Sequence, residues 1–317
     1  MEKKKEKIRV LLTEQCNANC PNCFNKNIRS GMHMELEAYR RLVDYLAKNG
    51  ISFVKIMGGE PTVHPNFEEA IGISQEKFKG VLLFTNALND KIRNIRVREY
   101  DAIIYNFLFI DRSFDIDKLL LQYPGERILE VQVSSGTDID DLTSRLKHLF
   151  SVIPKDLVKI SLTLDCTENI FARRDVLIEK WNRVVSFILK NLHKMYYFDH
   201  SIPWCFFENT NMKIRYEVRQ CNIQCAGLIT ADLWLQHCNQ YQSTGVNLKT
   251  KDGFIPYAEL LDSLQKMNEE KIKFNEKKIC FDCGNFLVNC NGGCFIHKDC
   301  ISPCDIPLKI KTSDMER

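Results

Sequence analysis

Cys16, Cys20 and Cys23 stand in the string Cys16-Asn17-Ala18-Asn19-Cys20-Pro21-Asn22-Cys23-Phe24, three thiols on one short loop. At this spacing each thiolate can take one iron of a [4Fe–4S] cluster, leaving the fourth iron without a protein ligand. A cluster that only carries electrons takes four cysteines. A metal position that the protein leaves open is where a substrate or cosubstrate coordinates. The same thiols with His33 as fourth ligand would also suit a single zinc ion. A second constellation, with Gly58 35 positions after Cys23, is Val54-Lys55-Ile56-Met57-Gly58-Gly59-Glu60-Pro61-Thr62. It is a short apolar strand running into two glycines and an acid. Paired glycines let the backbone approach a ligand closely. A carboxylate at a strand's C-terminal end can accept hydrogen bonds from an ammonium group.

Regular elements must hold these groups. Short β-branched or aromatic runs predict strands at 8–12, 52–57, 81–85, 101–106, 128–134 and 158–164. Helical periodicity fills 34–49, 66–78, 115–122, 138–150 and 173–195, with Asp138 and Asp140 as candidate caps of the fourth. Six β-α units imply an α/β fold with a parallel sheet and helices outside it. Both constellations fall just after a strand, where β/α barrels place their active sites. The pattern changes near residue 200. Ten of the fourteen cysteines lie between Cys205 and Cys304, in a turn-rich region interrupted by one helical stretch at 256–270. A region too small for a large core needs staples such as metal clusters. The boundary is placed within Phe198-Asp199-His200-Ser201-Ile202-Pro203, giving a β/α domain over 1–200 and a cysteine-rich domain over 201–317.

Composition narrows the classes. The 317 residues, 44% hydrophobic and 27% charged, suffice for a full core. A net charge of +3 is too small to argue for nucleic acid. No apolar run approaches the ~20 residues of a membrane span, and no signal-peptide core follows Met1. The expectation is a cytoplasmic chain with reduced cysteines, available to metals rather than disulfides.

The C-x3-C-x2-C loop with an aromatic after its last cysteine, followed by Gly58-Gly59-Glu60, resembles the radical S-adenosylmethionine (radical SAM) superfamily. The resemblance implies a partial (β/α)6 TIM-like barrel. It implies a [4Fe–4S] cluster on Cys16, Cys20 and Cys23, whose open iron is chelated by the amino and carboxylate groups of SAM. Gly58, Gly59 and Glu60 would hold the methionine ammonium, and Phe24 would lie beside the adenine. Thr85-Asn86-Ala87 is similar to the family's TNG strand end, with Asn86 near SAM and alanine replacing glycine. Ser134, with Ser135, ends the fifth strand, where the family contacts SAM. Asp165 and Cys166 end the sixth and are the candidate catalytic pair facing the cavity. Cys166 could give a hydrogen atom to a substrate radical, or be a small buried residue. Tyr105, Glu168 and Arg173 are further substrate-contact candidates.

The second cysteine array, Cys280-x2-Cys283-x6-Cys290-x3-Cys294, would suggest zinc if it stood alone. Beside the triplet it resembles the SPASM extension, with two auxiliary [4Fe–4S] clusters and so three in all. Carried over, one takes Cys221, Cys225, Cys238 and Cys294. The other takes Cys280, Cys283, Cys290 and either Cys300 or Cys304. Cys205 could also enter the first set. The family's Pro-Asp-Gly hairpin stands here as Ala231-Asp232-Leu233, which loses the residue suited to φ > 0.

The implied chemistry is reductive cleavage of SAM to a 5′-deoxyadenosyl radical, which takes a hydrogen atom from a substrate. An electron donor such as flavodoxin or ferredoxin is implied. One substrate class is a peptide or protein, modified by a crosslink, a thioether or side-chain oxidation. No peptide-recognition domain is expected ahead of Cys16; a separate protein could supply one. The other class is a small molecule such as a sugar or aminocyclitol, dehydrogenated or epimerised. A cluster- or zinc-binding module without catalysis is the third reading, opposed by Gly58-Gly59-Glu60.

Overall fold

The computed structural model describes residues 7–20, 23, 31–109, 120–121, 123–165, 172–192, 196–198, 227–236 and 245–276. The six expected strands form: β1 Lys7–Thr13, β2 Phe53–Gly58, β3 Gly80–Thr85, β4 Ala102–Asn106, β5 Glu126–Val133 and β6 Lys159–Leu164. They pair in sequence order and in parallel, and β7 (Tyr196–Phe198) extends the row beyond β6. Three very short strands close the other edge. β8 (Leu228–Ile229) pairs parallel with β1, while β9 (Trp234–Gln236) and β10 (Val246–Asn247) continue antiparallel. Among the described residues the sheet has ten strands, in the order β10-β9-β8-β1-β2-β3-β4-β5-β6-β7. A mostly parallel sheet with helices over one face is the architecture expected of a partial barrel.

Four helices follow the expected stretches: α1 Leu36–Lys48, α2 Phe67–Lys77, α3 Ile139–Val152 and α4 Arg174–Phe187. In α1 the buried residues Tyr39, Leu42, Val43 and Leu46 recur at three- and four-residue spacing, one stripe against the sheet. Each such side chain contributes roughly 1.5–3 kcal/mol on burial. Asp138 caps α3, accepting from the backbone N–H groups of Asp140 and Asp141. Asp140 itself lies inside the first turn. α4 ends at Phe187, with one π turn over Ile188–Leu192. Of the 115–122 stretch, only Leu120 and Leu121 are among the described residues. A fifth helix, α5, spans Tyr257–Glu276.

Strand parity decides what each face carries. Val10, Leu12, Val54, Ile56, Leu83, Ile103, Leu129, Val131, Ile160 and Leu162 join the helices in the main core. The alternate residues point the other way. There Leu11, Met57 and Leu228 form a second small cluster with Phe84 against it, while β4–β6 present Asn106, Glu130, Gln132, Ser161, Thr163 and Asp165. Parallel strands covered on both faces are normally apolar throughout. The polar alternation of β5 and β6 therefore marks this face as a cavity wall.

Candidate active site

The Glu60 turn is the most tightly bonded part of the site. Glu60 follows β2 and caps the one-turn helix Pro61–Val63. It is 1% exposed. Its Oε1 accepts from the Thr62 N–H at 3.1 Å, the Thr62 hydroxyl at 2.8 Å and the Thr85 hydroxyl at 2.8 Å. Its Oε2 accepts from the Asn86 N–H at 2.7 Å. Burial raises the Glu60 pKa above the ordinary carboxylate range, against the lowering effect of these four bonds. A carboxylate has about four acceptor positions, two on each oxygen. Oε1 is crowded by three donors, whereas Oε2 has capacity for one more.

The turn is joined directly to the cysteine loop. The Asn86 amide Nδ2 donates to Asn17 Oδ1 at 2.8 Å and reaches Cys16 Sγ at 4.0 Å. The Gly59 N–H donates to Thr13 O and the Glu60 N–H to Gln15 O, each at 2.8 Å. This close contact explains the glycines. A Cβ on Gly59 would sit 2.2 Å from Gln15 O, and one on Gly58 would sit 2.5 Å from Thr13 O. The approach that the glycines permit here is therefore to the chain's own backbone at the root of the cysteine loop. Cys16, Cys20 and Cys23 are half-buried thiols, and the Ala18 N–H donates to Cys16 Sγ at 3.4 Å.

These features fit a cluster and SAM better than a single zinc. Each thiol of such a cluster binds a different iron, so the three need not converge on one point. The His33 ring instead meets Thr13, with Nδ1 2.8 Å from the hydroxyl, and lies edge-on to His64. An N–H donor on a ligating sulfur stabilises the thiolate and tunes a cluster's potential. Spare acceptor capacity on Glu60 Oε2, beside Asn86, suits an ammonium group.

The remaining candidates fall in three groups. Ser134 ends β5 at 8% exposure, its Oγ 3.0 Å from Thr137 Oγ1. Asp165 is buried at the end of β6, and its N–H donates to Val133 O at 2.9 Å. Both lie on the cavity side by parity. Tyr105 does not: it shares the helix-side core with Ile103 and Phe107, so strand parity removes it from the substrate contacts. Phe24, Cys166, Glu168, Cys205, Cys221, Cys225, Cys238, Cys280, Cys283, Cys290, Cys294, Cys300 and Cys304 lie outside the described residues. Sequence reading missed Thr62, Thr85 and Asn17, the groups that hold Glu60 and Asn86. Their only signal was adjacency to residues already chosen.

Ala87 and Leu233, where glycine was expected, both adopt positive φ, 55° and 70°. The glycine-type geometry is kept with other residues in place.

Residues 10–131 match the radical SAM superfamily. The subtilosin biosynthesis protein AlbA of Bacillus subtilis, named for an antilisterial bacteriocin, is 34% identical over 76 residues, 24% of this chain and 17% of AlbA. A GTP 3′,8-cyclase of Synechocystis is 33% identical over 86 residues, 26% of either chain. The chain thus spans far less than two thirds of these two relatives. Among solved structures, Streptococcus suis SuiB bound to its precursor peptide SuiA superposes with a TM-score of 0.64 at 17% identity, over 92% of this chain and 72% of SuiB. The stretch from β1 into β5 thus matches the radical SAM superfamily, and the fold that carries it is similar to that of SuiB.

Proposed function

We propose that this chain cleaves SAM reductively on a [4Fe–4S] cluster held by Cys16, Cys20 and Cys23, and uses the product to modify a peptide. The observation that carries the reading is the hydrogen-bonded path from Glu60 through Asn86 to Asn17 and the cysteine loop. When bound, the reduced cluster supplies one electron and SAM supplies, on losing a C–S bond, the carbon radical that takes a substrate hydrogen. The chain's own residues do the positioning. Glu60 Oε2 takes the methionine ammonium. Asn86 fixes the cysteine loop against it, and Thr62 and Thr85 keep the carboxylate from rotating. The cavity face then meets the substrate. Its polar half, Asn106, Glu130, Gln132, Ser161 and Thr163, offers donors and acceptors beside the apolar half of Leu11, Met57 and Phe84. Ser161 Oγ is buried with no hydrogen-bond partner, a group left for a substrate to satisfy.

The peptide reading draws on SuiB and AlbA, a precursor-peptide complex and a bacteriocin biosynthesis protein. The GTP 3′,8-cyclase relative favours a second reading, a small-molecule substrate. Asp165 and Cys166 are the residues to act on a substrate radical. The cysteines beyond residue 201 are proposed to hold two auxiliary clusters that take or relay an electron. Two measurements test this. Protein purified anaerobically should contain about twelve irons per chain, four for each cluster; stoichiometric zinc with about four irons contradicts the auxiliary clusters. A precursor peptide encoded beside the gene, co-expressed with the chain, should lose two hydrogens by mass. An unaltered peptide, with turnover of a nucleotide or sugar instead, selects the second reading.

A further inference from the structure

His64 is held at both ring nitrogens. Nδ1 accepts from the Asn66 N–H at 3.1 Å, and Nε2 lies 2.8 Å from Met34 O. With Nδ1 accepting and a carbonyl facing Nε2, the proton is assigned to Nε2, which donates to Met34. The first bond closes the turn that follows Glu60. The second crosses thirty positions to the segment after the cysteine loop. That segment is itself tied to the end of β1. The Met34 N–H donates to Leu12 O at 3.0 Å, and the Glu14 N–H donates to Met32 O at 2.8 Å. His33, between them, lies edge-on to His64 with ring centroids 5.3 Å apart. Lys91 Nζ donates to His64 O at 3.2 Å, fixing the backbone of the turn. His64 is 2% exposed, and its burial lowers its pKa, which keeps Nδ1 an acceptor near neutral pH.

We infer that His64 is a positioning residue that sets the Glu60 turn against the root of the cysteine loop, so that carboxylate and thiols meet SAM at one fixed spacing. The inference rests on the SAM reading given above. His64 touches none of the proposed ligands. It acts through the two backbone segments that its ring nitrogens bridge.

Two substitutions separate the roles of the two nitrogens. His64→Asn keeps an acceptor for the Asn66 N–H, as in an Asx turn, but is too short to reach Met34 O. His64→Gln carries its amide nitrogen further out, where it can donate to Met34 O. Each variant is reconstituted anaerobically, its iron is counted, and SAM binding is measured by equilibrium dialysis. The expected result is wild-type iron in both, SAM binding about tenfold weaker in His64→Asn, the size of one shielded hydrogen bond, and binding within about threefold of wild type in His64→Gln. Wild-type affinity in His64→Asn, or equal weakening in both, overturns the inference and leaves the SAM reading intact. Wild-type protein that binds iron but no SAM overturns both. Should His64→Asn fail to fold, hydrogen exchange of the wild type decides. SAM should protect residues 31–35 and 60–66 together, and protection confined to 58–62 overturns the inference.

Discussion

Glu60→Gln tests the best-defined geometry in the molecule. The carboxylate accepts four hydrogen bonds, three on Oε1 and one on Oε2. A glutamine has one acceptor oxygen and must turn an NH2 toward the other set. If its oxygen keeps the three donors, the NH2 faces the Asn86 N–H, donor against donor, where Oε2 now sits at 2.7 Å. If it turns round, the threonine hydroxyls can rotate to accept, but the Thr62 N–H loses its partner. Either way one buried backbone donor is orphaned, at a cost of about 1–3 kcal/mol. Oε2 is also the proposed ammonium acceptor, so SAM binding should weaken about tenfold or more. Denaturant unfolding of the apo-protein reads the first effect and equilibrium dialysis the second. Unfolding within about 0.5 kcal/mol of wild type would show that the four bonds contribute little; an unchanged SAM dissociation constant would remove Glu60 from the site. The raised pKa adds a pH signature of two opposite signs. Ammonium binding needs the ionised form, so SAM affinity should fall on acidification from a higher pH than for an exposed carboxylate. Folded Glu60 holds its proton to higher pH than the unfolded chain does. Its contribution to the apo-fold is therefore fully present below the unfolded pKa and is lost as pH rises through the folded value.

Three further outcomes follow from backbone geometry. Gly59→Ala puts a methyl 2.2 Å from Gln15 O, so the turn and the cysteine loop must part; anaerobic protein should lose the triplet's iron and about 1–3 kcal/mol of stability. Ala87→Gly relieves a left-handed alanine, worth roughly 1–2 kcal/mol, but gives up a buried methyl and unfolded-state restriction of about the same total. Thermal unfolding should place it within about 0.5 kcal/mol of wild type. Leu233→Gly relieves the same kind of strain yet empties a site that is 3% exposed. Cavity costs of roughly 2–5 kcal/mol outweigh the relief, so it should be destabilised by about 1–3 kcal/mol.

The strands and helices of the barrel were legible because each carries its own period. Leu129, Val131 and Val133 alternate with Glu130 and Gln132, and α1 repeats its apolar stripe over three turns. The edge strands β8–β10 were not legible. Runs of two or three residues have no period, and only pairing defines them, β8 on β1, β9 on β8 and β10 on β9. The site was legible as residue types and not as connections. Cys16, Gly59, Glu60 and Asn86 announce themselves by spacing. That Thr62 and Thr85 clamp one carboxylate oxygen depends on two strand ends meeting, which no local pattern encodes. Parity also corrected Tyr105: one residue along β4 separates the cavity from the core, and composition alone does not say which face a tyrosine takes.

The central claim is that Cys16, Cys20 and Cys23 hold the cluster at which SAM is cleaved. The most direct measurement is 5′-deoxyadenosine formed when anaerobic protein is mixed with SAM and dithionite. The wild type should form it. Cys16→Ala, Cys20→Ala and Cys23→Ala should each form none while keeping the iron bound by the cysteines beyond residue 201. Undiminished 5′-deoxyadenosine in any one of the three variants would contradict the assignment.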